Sequence, residues 1–349
     1  MRLALDLGYL TAWSTPSDHL VLARHAEALG YSSVWVAEAY GSDTPTMLAW
    51  LAGQTERIEL GSAVMQIPAR TPAMTAMTAA TLDAVSGGRF RLGLGVSGPQ
   101  VSEGWHGVRF AKPLERTREY VDIVKLALSR STVAYEGAHY RLPLPDGPGK
   151  ALKLTLHPVR EHIPIYLAAV GPKNLELAGE IADGWLGVFF SPEYAGEQLA
   201  RVAAGRARVG RTMEGFDVVP TVPVVIGDDV AACAELVRHY AALYVGGMGS
   251  REQNFYNALA ARMGFADAAR EVQELYLAKR HRDAAAALPL ELVDQTSLLG
   301  PVDRIAERLR SYADAGVTTL AVLLFGDAES GAHTLDQLAE ALRRSGVGE

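Results

Sequence analysis

The stretch Phe90-Arg91-Leu92-Gly93-Leu94-Gly95 is too short for a helix, is rich in aliphatic residues and ends in glycine. Such a run is typical of a strand that is buried on both faces of a parallel sheet. Three similar runs precede it in the sequence: Leu3–Leu7, Val34–Glu38 and Ile58–Val64. Because helical stretches separate these runs, the pattern predicts parallel strands joined by helices.

The same alternation continues in four further runs: Ile163–Ala169, Gly184–Phe189, Asp217–Ile226 and Leu320–Phe325. Eight strand–helix units predict an α/β fold of the (β/α)8 type, the TIM barrel, in which the carboxyl ends of the strands meet at one mouth. Two segments interrupt the alternation: a hairpin and loop at 132–160, and a charged, alanine-rich helical insertion at 248–299 before the last strand. We interpret both as parts of one domain that spans residues 1–349.

The composition limits the classes of function. The net charge of −7 argues against binding to nucleic acid or to an anionic membrane surface. The single cysteine, Cys233, excludes an intrachain disulfide, and the nine histidines show no close metal-ligand spacing, so no metal site is predicted. The absence of a long apolar run and of a signal peptide predicts a cytoplasmic protein. An unusually uncharged helix at 73–84, whose one charged residue is Asp83, suggests a buried subunit contact, and therefore a homodimer.

The segment from Gly93 to Gly98 matches the G-x-G-x-x-G pattern of dinucleotide-binding turns. That pattern requires a helix to begin at the third glycine, so that its amino end faces a pyrophosphate. Here Pro99 follows, and residues 103–107 are predicted to form a loop, so no helix is expected. We prefer a glycine-lined barrel mouth at which the backbone approaches a flat ligand.

A second glycine-containing turn, Gly171-Pro172-Lys173-Asn174, follows the fifth strand and begins a helix. The amino end of a helix offers N–H groups and partial positive charge to an anion, and Lys173 could add a full charge. The alternative is an ordinary turn with proline at the first helical position.

Three titratable residues follow strands at the predicted mouth. Glu38 ends the second strand, where a barrel enzyme carries a catalytic acid or base, but it could equally form a structural ion pair with an arginine such as Arg70. Asp6 is more enclosed and is expected to accept hydrogen bonds from loop backbone. His106 follows the fourth strand and is a second catalytic candidate; the alternative is a loop histidine whose hydrogen bonds are satisfied.

These segments, in this order, resemble the bacterial luciferase-like superfamily of TIM barrels, and within it the branch that uses the deazaflavin coenzyme F420. The segments that carry the resemblance are Trp35–Glu38, Leu60–Met65, Ser86–Val96, Ile165–Asn174 and Ile181–Trp185. The resemblance implies the fold and the class of cofactor, and it does not reach the substrate.

The resemblance also implies a cofactor site. A non-prolyl cis peptide between Ala63 and Val64 is expected to support the ring system. The cofactor-binding residues that we expect in full are Asp6, Ala63, Val64, Gly95, Val96, Ser97, Gly98, Val170, Gly171, Pro172, Lys173 and Asn174. The last four, Gly171 to Asn174, correspond to the segment that receives the cofactor's phosphate. Some relatives have Asp-His where this chain has Glu38-Ala39, and this difference argues against a histidine-assisted proton relay there.

The expected activity is hydride transfer between C5 of the deazaflavin and a small organic substrate, with Glu38 as the first candidate for the matching proton and His106 as the second. A sugar phosphate, an alcohol, a pterin-like carrier and an unsaturated natural product all remain open as substrates. One alternative is an FMN-dependent monooxygenase that uses NAD(P)H and oxygen, and another is a barrel that binds flavin or deazaflavin without turnover. The helical insertion is expected to cap the mouth, with Arg251 and Asn254 reaching inward.

Overall fold

The computed structural model describes residues 1–10 and 14–349. Its strands are β1 (Arg2–Asp6), β2 (Ser33–Val36), β3 (Glu59–Ser62), β4 (Met65–Gln66), β5 (Phe90–Gly95), β6 (Tyr135–Glu136), β7 (Arg141–Leu142), β8 (Ile165–Ala168), β9 (Gly184–Val188), β10 (Asp217–Ile226), β11 (Leu298–Gly300) and β12 (Thr319–Leu323).

The helices surround these strands. They are α1 (Pro16–Ala28), α2 (Thr44–Ala52), α3 (Pro72–Val85), α4 (Pro99–Gly104), α5 (Pro113–Leu128), α6 (Pro172–Ile181), α7 (Ala195–Arg208), α8 (Val230–Ala242), α9 (Phe255–Ala260), α10 (Ala266–Leu277), α11 (His281–Ala286), α12 (Leu290–Gln295), α13 (Val302–Asp314) and α14 (Ala328–Ser345). A 3-10 turn covers Ile67–Ala69, and π-helical turns cover Leu243–Gly247 and Ala261–Phe265. None of these helices is both long and apolar enough to cross a membrane.

Eight parallel strands close into a barrel in the order β1, β2, β3, β5, β8, β9, β10 and β12, and β12 pairs back with β1. The predicted (β/α)8 barrel is therefore confirmed. The carboxyl ends of the strands share one rim, which carries the loops that follow Asp6, Val36, Ser62 and Gly95.

The opposite end of the barrel is closed by a polar network centred on Asp217, at the start of β10. Its Oδ1 accepts hydrogen bonds from Arg2 (3.2 Å) and Thr319 (2.9 Å), and its Oδ2 accepts one from the Tyr166 hydroxyl (3.0 Å). Above this layer Tyr166 packs edge-on against Trp35 inside the barrel, with ring centroids 5.2 Å apart. A small ligand can therefore approach the barrel interior only from the carboxyl end of the strands.

Helix α3 is buried on only one face within the single chain. One face, which includes Thr75, Ala76 and Ala79, packs inward with no exposed surface. The opposite face leaves Met74 and Met77 about half exposed, at 50% and 52%. The low content of charged residues in this helix therefore does not mean that each of its faces is buried.

Two segments of the structure depart from the alternation of barrel strands and helices. Strands β6 and β7 form an antiparallel hairpin within 132–160. The segment 248–299 contains α9–α12, but it also runs into the short strand β11, which pairs in parallel with β10. We did not predict this strand, because its three residues lie directly after a helix and are too few to show a pattern.

Candidate active site at the barrel mouth

A cis peptide bond joins Ala63 and Val64 between β3 and β4, as the resemblance led us to expect. Both side chains pack against the buried cluster inside the barrel. Gly95, at the end of β5, lies directly beside them: a Cβ at this position would come within 2.5 Å of the Val64 side chain. The glycine is therefore needed for the close approach of β5 to this part of the mouth.

The glycine-rich segment after β5 leads into a helix, contrary to our expectation. Gly98 is the residue before α4, which begins at Pro99 and ends at Gly104. We interpreted Pro99 as a break, whereas proline is favoured at the first position of a helix. The helix has only six residues and follows a strand of a closed barrel, so a dinucleotide-binding turn of the open-sheet type is still disfavoured. Ser97, before it, has a left-handed backbone conformation with φ of 61°.

The amino end of α6 is open. Gly171 precedes the helix without a side-chain cap, and a Cβ at this residue would meet no atom within 4 Å. Within the described chain the N–H groups of Gly171 and Lys173 have no hydrogen-bond partner. The Lys173 side chain is exposed, whereas the Asn174 amide turns back and donates to the Ala168 carbonyl (3.3 Å). Free N–H groups, an uncapped turn and a nearby lysine fit a phosphate group.

A second cation reaches this turn from the helical insertion. Arg262, in the second π-helical turn, donates through Nη2 to the carbonyl of Val170 at 3.4 Å. The guanidinium also interacts with the neighbouring Tyr194 hydroxyl and acts to lower its pKa, which burial raises. Sequence reasoning did not find Arg262, because it lies 92 positions from Val170 in an otherwise ordinary charged helix.

Glu38 has all of its acceptor positions occupied. Its Oε1 accepts from the Arg70 guanidinium and from the N–H of Gln66 (2.9 Å). Its Oε2 accepts from Arg70 (3.1 Å) and from the N–H of Thr44 (3.3 Å). An ionised carboxylate has about four acceptor positions, so none remains for a substrate. The geometry is that of the structural ion pair, the alternative that the sequence left open.

His106 lies two residues after the end of α4. Its Nε2 is buried and has no hydrogen-bond partner among the described residues. No hydrogen bond or ion pair in the same part of the chain connects it with Glu38 or Asp6. Trp105, beside it, is 67% exposed. The two predicted catalytic residues therefore do not form a pair.

Asp6 lies at the end of β1 and makes fewer contacts than Glu38. Its Oδ1 accepts from the N–H of Gly8 (2.8 Å), which is the predicted bond to loop backbone, and its Oδ2 accepts from the Thr221 hydroxyl (3.0 Å). Burial raises the pKa of Asp6 to about 6, while these two hydrogen bonds act to lower it. Two acceptor positions remain, and the carboxyl group can gain or lose a proton near neutral pH.

Five aromatic side chains lie at the mouth near Asp6, and we call this group the aromatic wall. Its members are Phe189 after β9, Tyr240 at the end of α8, Tyr244 in the first π-helical turn, Tyr256 in α9 and Phe325 after β12. Neighbouring ring centroids lie 4.7 to 6.1 Å apart. Sequence analysis missed the group, because its residues come from five segments that share no motif.

The two insertion residues that we expected in the mouth are placed differently. Asn254 is buried, but its amide donates to the carbonyls of Tyr244 and Val245 and its oxygen accepts from the amino end of α9. It therefore holds the backbone around the aromatic wall and offers nothing to a ligand. Arg251 is exposed.

A mouth that is open only at the carboxyl ends of eight parallel strands, with a buried titratable acid in it, is typical of (β/α)8-barrel enzymes. Comparison with known families makes the class specific. The family model for luciferase-like monooxygenases matches residues 4–319. The chain belongs to this family.

Individual relatives cover nearly the whole chain. A protein of Mycobacterium tuberculosis whose name proposes a coenzyme F420-dependent oxidoreductase is 48% identical over 336 residues, which cover 94% of this chain and 96% of that protein. The 5,10-methylenetetrahydromethanopterin reductase of Archaeoglobus fulgidus is 31% identical and is matched over 84% of this chain and 85% of its own length. The solved structure of the coenzyme F420-dependent tetrahydromethanopterin reductase from Methanopyrus kandleri has a TM-score of 0.82 at 22% identity, with 97% of each chain covered, and it supports the fold.

Proposed function

We propose that the chain is an oxidoreductase that uses coenzyme F420 and acts on a small organic substrate. The observation that carries the proposal is the open amino end of α6, with free N–H groups at Gly171 and Lys173 and two cations nearby. This turn and the cis peptide at Ala63 both lie at the carboxyl end of the barrel. The names of the M. tuberculosis and A. fulgidus relatives support the same cofactor class and chemistry.

The cofactor would be held at three places on the rim. Ala63 and Val64 would support one face of the ring, and the backbone from Gly95 to Gly98 would line the side chain. The turn from Val170 to Asn174 would bind the phosphate through N–H groups and the Lys173 ammonium, and Arg262 would add a second charge from the insertion. When bound, F420 supplies or accepts a hydride at C5 of its deazaflavin ring.

We assign the accompanying proton to Asp6 in preference to Glu38 or His106. Asp6 has free acceptor positions and a pKa of about 6, which suits a general acid or base near neutral pH. Glu38 is committed to Arg70 and two backbone N–H groups, so its role would be to fix the loops after β2 and β3. In the direction of reduction Asp6 would donate the proton, and in the direction of oxidation its carboxylate would accept it.

The assembly that we propose is a homodimer formed through the outer face of α3. Met74, Met77 and Val85 are each at least half exposed on this helix, at 50%, 52% and 53%. Exposed apolar side chains grouped on one helix face are typical of a contact with another protein surface. Because the same residues repeat on a second copy, an isologous contact would bury both faces together.

The activity is tested by mixing the purified protein with reduced F420 under nitrogen and a panel of ketones, enones and alcohols, and by following the deazaflavin absorbance. Substrate-dependent oxidation of F420 is expected. Oxygen uptake with reduced FMN and no reaction with F420 would instead establish the FMN-dependent monooxygenase.

A further inference from the structure

The aromatic wall has the form of one side of a binding site. Within it Phe189 is almost completely buried, whereas Tyr240, Tyr244, Tyr256 and Phe325 keep part of their surface exposed. The rings pack against buried apolar residues of α8 and α12, which hold them in place. A surface of partly exposed rings with an apolar backing gains most from contact with a flat apolar body.

The wall also carries one hydrogen-bonding point. The ring centroids of Tyr240 and Tyr244 are 4.7 Å apart, and each hydroxyl affects the pKa of the other. The Asp6 carboxylate lies near enough to raise the pKa of both hydroxyls, in addition to the larger effect of burial. Both hydroxyls therefore stay protonated, and the pair can donate one hydrogen bond to an oxygen atom of a ligand.

The charges near the wall disfavour an anionic ligand. The charged group that faces Tyr240 and Tyr244 is the Asp6 carboxylate. In the part of the chain that the structure describes, no guanidinium lies over a ring of the wall, since the cation–π contacts involve Tyr166, Phe216 and Tyr312. Arg262 is directed to the Val170 carbonyl, on the side of the phosphate turn. An anion at the wall would meet a like charge without a compensating cation.

We propose that the substrate is an uncharged compound with a flat apolar body and one carbonyl group, which packs on the aromatic wall with its oxygen toward Tyr240, Tyr244 and Asp6. This inference rests on the proposed function and names its substrate class. It excludes a sugar phosphate from among the substrates that the sequence left open, and it excludes carboxylated compounds as well.

This arrangement would support reduction of the carbonyl group to an alcohol. When bound, the reduced cofactor would supply a hydride, and with it two electrons, to the carbonyl carbon, and its ring N–H proton would leave to water. The C=O double bond becomes a single C–O bond, and the oxygen takes a proton from the Asp6 carboxyl group. The products are the alcohol, the oxidised cofactor and the Asp6 carboxylate, which regains a proton from water.

The test is direct binding to the F420-loaded protein by calorimetry at pH 8, with two probes that differ in one group. 2-Acetylnaphthalene is neutral, and 6-acetyl-2-naphthoate carries a carboxylate on the same ring system. We expect the neutral ketone to bind at least about 30-fold more tightly than the carboxylate, because only the carboxylate meets the charge of Asp6. Equal affinity, tighter binding of the carboxylate, or no binding of either probe would overturn the inference.

Two variants locate the site. Tyr244→Leu removes a ring of the wall and is expected to weaken binding of the neutral ketone about tenfold. Phe255→Leu is the matched control, because Phe255 adjoins Tyr256 on α9 but lies outside the wall, and it should leave the affinity unchanged. Asp6→Asn should reduce the difference in affinity between the neutral ketone and the carboxylate. Equal losses in Tyr244→Leu and Phe255→Leu, or an unchanged difference in Asp6→Asn, would contradict the placement.

Failure of this inference is separate from failure of the proposed function. A titration with F420 alone precedes the calorimetry, and a protein that does not bind F420 would overturn the proposed function. A protein that binds F420 and prefers the carboxylate would keep the cofactor assignment and overturn the substrate class.

Discussion

Asp6 and Glu38 both follow barrel strands, but their carboxylates meet very different partners. Glu38 accepts hydrogen bonds at all four positions from Arg70, Gln66 and Thr44, whereas Asp6 accepts two. A fully bonded carboxylate beside a guanidinium ties loops together. A buried carboxyl group with free acceptor positions can exchange a proton, so the two acids are suited to different tasks.

The first prediction at this scale concerns Asp6→Asn. We expect the turnover number to fall about 100-fold, because the amide cannot exchange the proton, while the F420 dissociation constant stays unchanged. In the wild type the rate of substrate reduction should fall as pH rises through about 6, because the acid form is required, and the rate of oxidation should rise. Both are measured as pH–rate profiles under nitrogen. A variant with the wild-type profile would remove Asp6 from the reaction.

The second prediction concerns Glu38→Gln. This change leaves Arg70 without its main partner, and we expect the free energy of unfolding to fall by about 3 kcal/mol. The midpoint of the pH–rate profile should stay at the wild-type value, because Asp6 is untouched. Urea denaturation and the same kinetic assay check the two parts. A stable variant that has lost the pH transition would return the catalytic role to Glu38.

At the scale of elements, the sequence predicts structure well where the signal is local. The strands that became β5, β8 and β10 are short apolar runs, and their neighbours along the barrel follow from the alternation with helices. Helix α4 was missed because its six residues follow a proline in a glycine-rich segment, and β11 because its pairing with β10 is decided by tertiary contact. The aromatic wall could not be predicted either, since only the folded chain brings Phe189 and Phe325 together.

The third prediction concerns the phosphate turn at α6. Lys173→Ala and Arg262→Ala should each weaken F420 binding about tenfold, because each removes a charge near the amino end of the helix. The affinity of either variant should also depend less on salt concentration than that of the wild type. Fluorescence titrations at low and high salt measure both effects.

The matched control for this prediction is Lys153→Ala. Lys153 is an exposed lysine of the 132–160 excursion, and its removal changes the net charge by the same amount as Lys173→Ala. Its F420 affinity should equal that of the wild type. Unchanged affinity in both Lys173→Ala and Arg262→Ala would contradict the phosphate assignment.

At the scale of the whole molecule, the proposed binding and catalytic groups all lie at one end of the barrel. The polar network around Asp217 closes the amino end of the strands, while the opposite end carries the cis peptide, the open helix, Asp6 and the aromatic wall. The insertion contributes Tyr256 and Arg262 to this end, so it takes part in both the substrate side and the phosphate side of the site. The proposed dimer face on α3 lies on the outside of the barrel.

The fourth prediction concerns this face. Met77→Lys places a charge on the exposed side of α3, where a second copy would place the same charge, and it should convert the dimer to a monomer in analytical ultracentrifugation. Leu236→Lys, at an exposed position of α8, is the control and should sediment like the wild type. A wild-type protein that is monomeric at high concentration would rule out the dimer.

The central claim, that this mouth binds the deazaflavin coenzyme, is tested most directly by parallel fluorescence titrations of the purified protein with F420 and with FMN. We predict saturable binding of F420 and at least about tenfold weaker binding of FMN. Preferential binding of FMN would contradict the claim and favour the monooxygenase. Binding of neither compound would contradict the assignment of the mouth as a cofactor site.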